Sequence, residues 1–322
     1  MNDVRILTET DLRERVKLDA EVISVIEAAF ETLTDDRVVM PPILSMHMPD
    51  INGELDVKTA YVPGLSGFAV KLSPGFFDNP SKGLPSTSGL MVVLSTETGR
   101  VQAVLLDNGY LTDIRTAAAG GVAAHHLSRV DCRRATIMGA GLQARMQLQA
   151  LRLVRPISEV TIWARDVAKA RIFASELQQE GLTAQASTDP AAAVSGADII
   201  VTTTPASQPI LQADWLQPGQ HVTAMGSDQA GKNELDPHCL SRADLYVADR
   251  VGQTRVLGEL RAALSLDLLS PDAEIPELGH IVSGRHPGRT SPDQITIADL
   301  TGTGVQDTAI ATYALDAFSK EP

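Results

Sequence analysis

The amino-acid sequence predicts an α/β protein in which a doubly wound parallel sheet is accompanied by a separate α+β domain. From residue 134 onward, short apolar strand patterns alternate with helix patterns, which is typical of βαβ units. Between residues 38 and 106, short apolar runs are separated by clusters of Pro, Gly and Asn, which is typical of antiparallel strands. The chain has 322 residues, a length that suits two domains.

The first domain is expected to begin with a long helix. Apolar residues recur at helical spacing over residues 8–34, and Thr8 with Asp11 forms a capping signal at the start. Four strands are then predicted, at residues 57–62, 67–72, 90–95 and 101–106. The Ala-rich segment 113–127 is predicted to be a helix.

The second domain is expected to hold the parallel sheet. Its strands are predicted at residues 135–138, 159–163, 198–203, 221–225, 245–248 and 295–299. Its helices are predicted at residues 142–153, 167–179 and 190–195. A last helix, residues 306–318, is expected to fold back onto the first domain. The predicted division is therefore residues 1–116, with residues 305–322 returning to them, and residues 117–304.

Composition excludes several classes of protein. The formal net charge of −13 argues against a nucleic-acid surface, because no basic patch offsets the acids. No apolar run approaches the roughly 20 residues that cross a bilayer, and residues 1–14 lack the apolar core of a signal peptide. Two cysteines build no disulfide framework, so a reducing cytoplasm is expected. Seven histidines without Cys/His ligand spacing predict no metal site.

The segment 139–144 reads G-x-G-x-x-A between a predicted strand and a predicted helix. Gly139 permits a tight turn, Gly141 lets the backbone approach a pyrophosphate, and Ala144 allows the helix to pack close to the strand. Leu142 and Gln143 open the helix, whose free N–H groups and dipole favour phosphate. We interpret this segment as the dinucleotide-binding turn of a Rossmann domain in an oxidoreductase.

The choice of dinucleotide depends on the residues after the second strand of that domain. An acid there binds the ribose 2′-hydroxyl, whereas an Arg accommodates a 2′-phosphate, and this chain has Arg165 beside Asp166. NAD(H) is favoured and NADP(H) is left open. Thr203, Thr204 and Ser227 follow later strands at the edge where ligands bind in such sheets; they are cofactor candidates or simple turn formers.

The chain resembles the ornithine cyclodeaminase/mu-crystallin family over nearly its whole length. The resemblance depends on Val70-Lys71 ahead of Pro74-Gly75, and on the segments 115–118, 139–144 and 226–235. It implies a homodimer whose first domain supplies substrate-binding strands and the dimer contact. It also implies chemistry at the α-carbon of an amino acid or of its imine.

The same resemblance implies roles for three residues. Lys71 and Arg115 would hold the substrate carboxylate, and Asp228 would act as acid or base beside the reacting nitrogen. The residue types agree with these roles, because the planar guanidinium of Arg115 suits a carboxylate and Lys71 adds a charge that can also polarise an imine. Reduction of an imine further needs a group that supplies or removes a proton, and a carboxylate such as Asp228 in a partly desolvated cleft can serve.

Two departures from the family bear on the substrate. Ornithine cyclodeaminases have an Arg before the first strands that also holds the α-carboxylate, and residues 41–46 contain none. Lys58 stands where the family commonly has Met, so Lys58 and Lys71 together could bind a second carboxylate. Asp56 either neutralises Lys58 or lies where ornithine-type enzymes keep an acid for the distal amine. The flanking segments look most like the ectoine-utilisation branch and related iminosuccinate reductases.

The leading hypothesis is therefore an NAD(P)H-dependent reductase of a small α-imino acid, with conversion of iminosuccinate to aspartate as the specific expectation. One alternative is a cyclodeaminase that reduces and reoxidises NAD+ within one turnover. Another is a non-catalytic, crystallin-like protein that keeps the cofactor, although the presence of Asp228 argues against it. The sequence leaves open the exact substrate, the physiological direction and the preference between NAD and NADP.

Overall fold

The computed structural model describes residues 4–319. The chain divides into two compact units, one that extends to Thr116 and resumes at Thr303, and one that extends from Ala117 to Gly302. The first boundary falls inside helix α3 (Tyr110–Leu127). Among residues 4–319, no helix combines the length and the apolar character needed to cross a membrane.

The first unit contains a six-stranded sheet. Its elements are β1 (Arg5–Thr8), α1 (Glu9–Arg15), α2 (Ala20–Thr32), β2 (Leu44–Met48), β3 (Gly53–Thr59), β4 (Gly67–Phe76), β5 (Leu90–Ser95), β6 (Val101–Leu106) and α11 (Gly304–Ala317). The strand order is β1-β6-β5-β4-β3-β2, and every pair is antiparallel except β1 with β6. Of the four strands that the sequence predicts here, β5 and β6 have the predicted bounds, and β3 and β4 overlap the predicted ranges; β2 was missed.

The prediction of one helix over residues 8–34 was wrong. Residues up to Thr8 form β1, which pairs with β6, and Thr8 then caps α1 through a capping box with Asp11. The backbone becomes extended at Val16, and Asp19 starts α2 by accepting the N–H of Val22 at 2.9 Å. Helical spacing of apolar residues therefore continued across a real break between two capped helices.

The two faces of this sheet differ. Helix α11 packs against β3 and β4 on one face, and it also contacts α2. Helix α11 belongs to the first unit. Residues that alternate with the covered ones are apolar and half-buried or exposed: Phe68, Val70, Leu72, Val92, Leu94 and Val104. One face of the sheet is therefore packed, and the other presents apolar side chains.

The second unit contains a seven-stranded, fully parallel sheet. Its strands are β7 (Arg134–Met138), β8 (Glu159–Trp163), β9 (Thr183–Ser187), β10 (Ile199–Thr202), β11 (His221–Ala224), β12 (Leu245–Ala248) and β13 (Thr296–Asp299). Their order is β12-β13-β11-β10-β7-β8-β9. Strand β7 lies inside the sheet and the chain proceeds outward from it in both directions, which confirms the predicted doubly wound Rossmann arrangement.

Helices cover both faces of this sheet. They are α4 (Leu142–Val154), α5 (Val167–Gln179), α6 (Pro190–Val194), α7 (His238–Arg242), α8 (Val251–Thr254), α9 (Glu259–Ser265) and α10 (Leu278–Val282). Neighbouring residues of β7 belong to different cores: Ile137 packs with one cluster of buried residues and Met138 with the other. Cys132 and Cys239 are both buried and free.

Candidate active site

Two lysines are direct neighbours on adjacent strands of the sheet of the first unit. Lys58 of β3 is directly opposite Lys71 of β4 in the strand register. Lys58 is 8% exposed and Lys71 is 2% exposed. Like charges opposite each other in a ladder are destabilising, so the pair costs stability unless anionic groups compensate it.

Asp307 of α11 supplies one such anionic group. Its Oδ1 accepts hydrogen bonds from Lys71 Nζ at 2.9 Å and from Arg115 Nε at 3.0 Å. Arg115 also donates from Nη1 to Gln306 Oε1 at 3.4 Å. We call Lys58, Lys71, Arg115 and Asp307 the cationic cluster; all four side chains are buried in the first unit. The three cations that were predicted from sequence are therefore brought together.

The ionisation of the cluster follows from its burial. The pKa of Lys71 is lowered to about 7, chiefly because burial removes the hydration of its ammonium group. The attraction of Asp307 opposes this shift, and the positive charges of Arg115 and Lys58 add to it. Burial alone would raise the pKa of Asp307, but the charges of Lys71, Arg115 and Lys58 outweigh it and lower that pKa below its usual value. Asp307 is thus a carboxylate at neutral pH, and Lys71 is able to hold or release a proton there.

Two further acids belong to the first unit. Asp56 lies two residues before Lys58 on the same face of β3, and its carboxylate accepts a hydrogen bond from Ser45 Oγ at 2.6 Å. Asp107 follows β6 and is 1% exposed; it accepts the N–H of Leu111 at 2.9 Å in the first turn of α3. Burial raises the pKa of Asp107.

The second unit contains a cavity of about 630 Å³ at the carboxyl ends of its strands. Six predicted cofactor residues line it: Gly139, Gly141, Arg165, Asp166, Thr203 and Thr204. Leu142, Gln143, Ala144 and Ser227, which were also predicted, are not among its lining residues. Ala144 is instead fully buried where α4 packs on the sheet, the position that the motif predicts for a small residue.

The turn between β7 and α4 has room for a ligand at Gly141 but not at Gly139. Gly139 has φ +140°, and a Cβ atom there would lie 2.3 Å from Thr203 Oγ1. A Cβ atom on Gly141 would meet no protein atom within 4 Å. The backbone is therefore tight where the strand turns and open where a pyrophosphate would approach the start of α4.

The charged residues after β8 have unequal duties. Asp166 caps α5, because its Oδ1 accepts the N–H groups of Ala168 at 3.0 Å and Lys169 at 3.3 Å. Arg165, whose side chain is exposed, and Lys169 line the same cavity. The residue that directly follows the strand is Ala164, so the position next to β8 has no acid of its own.

Ser227 and Asp228 follow β11 on one loop. Ser227 is 2% exposed and donates its hydroxyl to Glu259. This hydrogen bond stabilises the loop, and Ser227 is not part of the cavity wall. Asp228 forms an ion pair with Lys232, with 2.7 Å between Oδ1 and Nζ, and its side chain is 46% exposed. The structure thus places Asp228 in the second unit and the cationic cluster in the first.

Sequence reasoning missed several residues of these sites. Asp307 lies on α11 among residues that are almost all buried, and an acid inside such an apolar stretch was the available signal. Lys169 and Arg145 line the cavity of the second unit, but they lie on helices and carry no motif. Glu234, which accepts hydrogen bonds from Thr202, Thr204 and Gly226, had been read only as part of a family segment.

The model of the ornithine cyclodeaminase/mu-crystallin family matches residues 2–321. An uncharacterized cyclodeaminase of Sinorhizobium fredii is 61% identical over 316 residues, covering 98% of this chain and 96% of that protein. These matches extend over both units.

Three solved structures are similar throughout. An archaeal alanine dehydrogenase dimer with bound NAD has a TM-score of 0.91 and 33% identity, over 98% of this chain and 97% of that one. The Δ1-pyrroline-2-carboxylate reductase of Thermococcus litoralis, in complex with NADH and L-proline, has a TM-score of 0.93 and 26% identity, over 98% of both chains. The iminosuccinate reductase of Paracoccus denitrificans, in complex with NAD+, has a TM-score of 0.88 and 27% identity, over 98% of this chain and 96% of that one.

Proposed function

Because this chain belongs to the ornithine cyclodeaminase/mu-crystallin family, we propose that it is an NAD(P)H-dependent reductase of a small α-imino acid, with iminosuccinate as the substrate and L-aspartate as the product. The observation that carries this proposal is the cationic cluster. Three buried cations converge on one carboxylate, and buried charges in proteins are normally paired. Within the cationic cluster three cations stand against one carboxylate, and this excess of positive charge favours an anionic substrate.

The protein binds NAD(H), as its solved relatives do. The cavity of the second unit fits such a group, since the turn at Gly141 is open and the N-terminus of α4 favours phosphate. Arg165 and Lys169 would lie beside the adenosine ribose, so NADPH remains a candidate as well as NADH. When bound, the reduced dinucleotide supplies a hydride to the α-carbon and is left as the oxidised form.

The cationic cluster suits a dicarboxylate. Arg115 is oriented by Asp307 and Gln306, so its guanidinium plane is fixed before it binds the α-carboxylate of the substrate. Lys58 adds a second buried ammonium group directly opposite Lys71, where the family commonly has an apolar residue. Iminosuccinate carries two carboxylates, and the imine of pyruvate carries only one. We therefore assign Lys58 to the distal carboxylate.

The reaction also needs one proton. Hydride addition to the α-carbon moves the electron pair of the C=N bond onto nitrogen, which then takes up a proton to become the amine. Lys71, with a pKa of about 7, can donate that proton at neutral pH. Asp228, which forms an ion pair with Lys232 in the second unit, is the second candidate.

A cyclodeaminase is the second candidate function. Asp56 lies on the same face of β3 as Lys58 and accepts a hydrogen bond from Ser45 Oγ at 2.6 Å, and such a carboxylate could pair with the distal ammonium group of a diamino acid. Such an enzyme would release ammonia and leave the dinucleotide unchanged after each turnover. It would therefore show no net oxidation of NADH.

We further propose that the chain forms a homodimer through the apolar face of its first sheet. That face alternates with the face covered by α11, and its central residues are partly exposed in a single chain. Ile6 at one edge is 65% exposed and Leu44 at the other is 62% exposed. An apolar surface that extends across a sheet marks an interaction site, and a second copy offers a self-complementary partner.

The direct test is oxidation of NADH and NADPH, followed by absorbance, with ammonia and a series of 2-keto acids. Oxaloacetate with ammonia generates iminosuccinate, pyruvate with ammonia generates the monocarboxylate imine, and ornithine tests the cyclodeaminase. We expect net oxidation with the dicarboxylate at the highest catalytic efficiency. Ammonia release from ornithine without change in NADH would instead favour the cyclodeaminase, and binding without turnover of any compound would favour a crystallin-like protein.

A further inference from the structure

Glu234 connects two loops of the second unit through a single buried carboxylate. It lies between β11 and α7 and is 0% exposed. One oxygen, Oε1, accepts the N–H and, at 2.7 Å, the hydroxyl of Thr204. The other, Oε2, accepts the hydroxyl of Thr202 at 2.6 Å and the N–H of Gly226 at 2.8 Å.

The two loops have different duties in the proposed reaction. Thr204 follows β10 and lines the dinucleotide cavity. Gly226 begins the loop that carries Ser227 and Asp228. Four donors therefore meet on one side chain, two from the cavity wall and one from the Asp228 loop, with Thr202 of β10 fixing the carboxylate between them.

Glu234 is itself held in place. Its backbone N–H donates to Glu259 Oε1 at 2.8 Å, and Glu259 also accepts the N–H of Leu235 at 3.2 Å. The hydroxyl of Ser227 donates to the same carboxylate. Glu259 thus fixes the backbone of Glu234, and neither of these two residues lines the cavity.

We propose that Glu234 is a positioning residue that sets the wall of the dinucleotide cavity and the Asp228 loop together, in a way that depends on its remaining a carboxylate. This inference rests on the proposed function, since it assigns Glu234 to the cofactor and acid/base loops of that reaction. Two of its donors are backbone N–H groups, which cannot reverse their direction. A protonated Glu234 would itself donate at one oxygen, so one of the four donors must reverse its direction or lose its acceptor, and the remaining hydrogen bonds would no longer be made to a charged group.

The ionisation of Glu234 supports a pH-dependent form of this role. The pKa of Glu234 is raised to about 7, chiefly because its carboxylate is buried. The nearby charge of Glu259 adds to this shift, and the hydrogen bonds from the hydroxyls of Thr202 and Thr204 oppose it. Other charged groups of the loop are Asp228 and Lys232, which pair with each other. As the pH falls through about 7, Glu234 takes up a proton and its hydrogen bonds to the two loops lose their charged acceptor and weaken.

The test is a fluorescence titration of NADH into the full-length protein between about pH 6 and about pH 8. For the wild type we expect tight binding at the upper end and weaker binding below pH 7. Glu234→Gln should bind NADH roughly tenfold more weakly at pH 8, as expected for losing hydrogen bonds to a charged group, and its affinity should be nearly independent of pH.

Two further variants make the result specific. Thr202→Val removes one hydroxyl that stabilises the carboxylate and leaves the cavity lining intact, so the pH at which NADH affinity falls should rise. Asp198→Asn is the matched control: Asp198 is a buried carboxylate at the opposite end of β10, where it accepts the N–H groups of Arg133 and Arg134 at 2.9 Å each. It should lower stability without changing the pH profile of NADH binding.

The outcomes separate this inference from the function on which it rests. If the wild type binds neither NADH nor NADPH, the proposed function fails. If it binds NADH and Glu234→Gln binds equally well with the same pH dependence, the positioning role is wrong. If Glu234→Gln does not fold, Thr202→Val decides, and an unshifted pH profile in that variant overturns the proposal.

Discussion

Lys71 is a buried ammonium group whose neighbours act on it in opposite directions. Asp307 accepts a hydrogen bond from it at 2.9 Å, while Arg115 and Lys58 add positive charge nearby. Burial is the largest of these effects, and it favours the neutral amine. A group balanced in this way near neutrality is suited to proton transfer, and the same balance affects the stability of the fold.

The pH dependence of stability should report this balance. The pKa of Lys71 is about 7 in the folded state and 10.5 for the solvated side chain of the unfolded state, so between these pH values the unfolded state binds one more proton. Stability contributed by Lys71 therefore rises as the pH rises, by about 2 kcal/mol between pH 7 and pH 9. We expect the difference in unfolding free energy between the wild type and Lys71→Met, measured in urea, to change by this amount. A difference that stays constant with pH would refute the assignment.

Lys58 distinguishes substrate classes. If it binds the distal carboxylate, Lys58→Met should leave that carboxylate unpaired in a desolvated site, which costs several kcal/mol. Catalytic efficiency should fall steeply for iminosuccinate and only slightly for the imine of pyruvate, so specificity should shift toward the monocarboxylate. Steady-state kinetics on both substrates measure the shift.

The control for Lys58→Met is Lys169→Met, which removes a lysine from the second unit and leaves the cationic cluster intact. It should affect both substrates alike. Equal losses for the two substrates in Lys58→Met would mean that Lys58 is structural or shares the α-carboxylate. No loss for either would remove the support for a dicarboxylate.

At the scale of elements, the turn between β7 and α4 combines a closely packed glycine and an open one. Gly139 has a positive φ and no room for a Cβ atom beside Thr203, whereas Gly141 has φ −85° and no protein atom near its missing Cβ. Only the first requirement comes from the fold itself. The second becomes a requirement when a dinucleotide is present.

Two substitutions in this turn should therefore have different effects. Gly141→Val should fold with a melting temperature near that of the wild type and bind NADH at least tenfold more weakly, because its side chain fills the pyrophosphate approach. Gly139→Ala should instead lower the melting temperature, because its Cβ would collide with Thr203. Thermal unfolding and NADH titration of both variants measure this contrast. Full NADH affinity in Gly141→Val would contradict the cofactor assignment.

The elements that the sequence predicted well are those with strong local patterns. Strands β8 and β12 and helix α5 have the predicted bounds, since each joins a clear apolar pattern to a clear boundary. Strand β9 (Thr183–Ser187) was missed, because it lies at the edge of the sheet and alternates small and polar residues. The short helices α7 to α10 were also missed, since each has too few turns for its periodicity to be seen.

The candidate sites show the same limit. A glycine motif is local, so Gly139 and Gly141 were found from their spacing alone. Asp307 meets Lys71 and Arg115 from 236 and 192 residues away in the chain, and nothing short of the fold reveals that contact. Glu234 is similar, since its partners become neighbours only when parallel strands align their carboxyl ends.

At the scale of the whole molecule, the apolar face of the first sheet determines the expected assembly. Val70, Val92 and Val104 lie opposite one another on three neighbouring strands, so the face is continuous rather than scattered. Scattered apolar residues on a surface need no explanation, but a continuous face does.

Light scattering coupled to size exclusion should give a mass twice the 34.3 kDa of one chain. Val70→Glu places a charge at the centre of the apolar face and should yield monomers, since it would put like charges together at a two-fold contact. Leu153→Glu is the control, because Leu153 is an exposed apolar residue of α4 in the other unit. A monomeric wild type, or a dimeric Val70→Glu, would show that this face is not the interface.

Because Lys58 and Lys71 lie opposite each other on β3 and β4, the thermal stability of the protein should depend on which anion is bound. Two like charges held side by side on neighbouring strands destabilise the sheet, and an anion that binds between them lowers that cost. Ligands that bind only the folded state raise its melting temperature in proportion to their affinity. Thermal shift can therefore rank carboxylic acids without any turnover: a dicarboxylate such as succinate, which cannot react, should stabilise the protein more than propionate, and the molecule would report its substrate class before its reaction is observed.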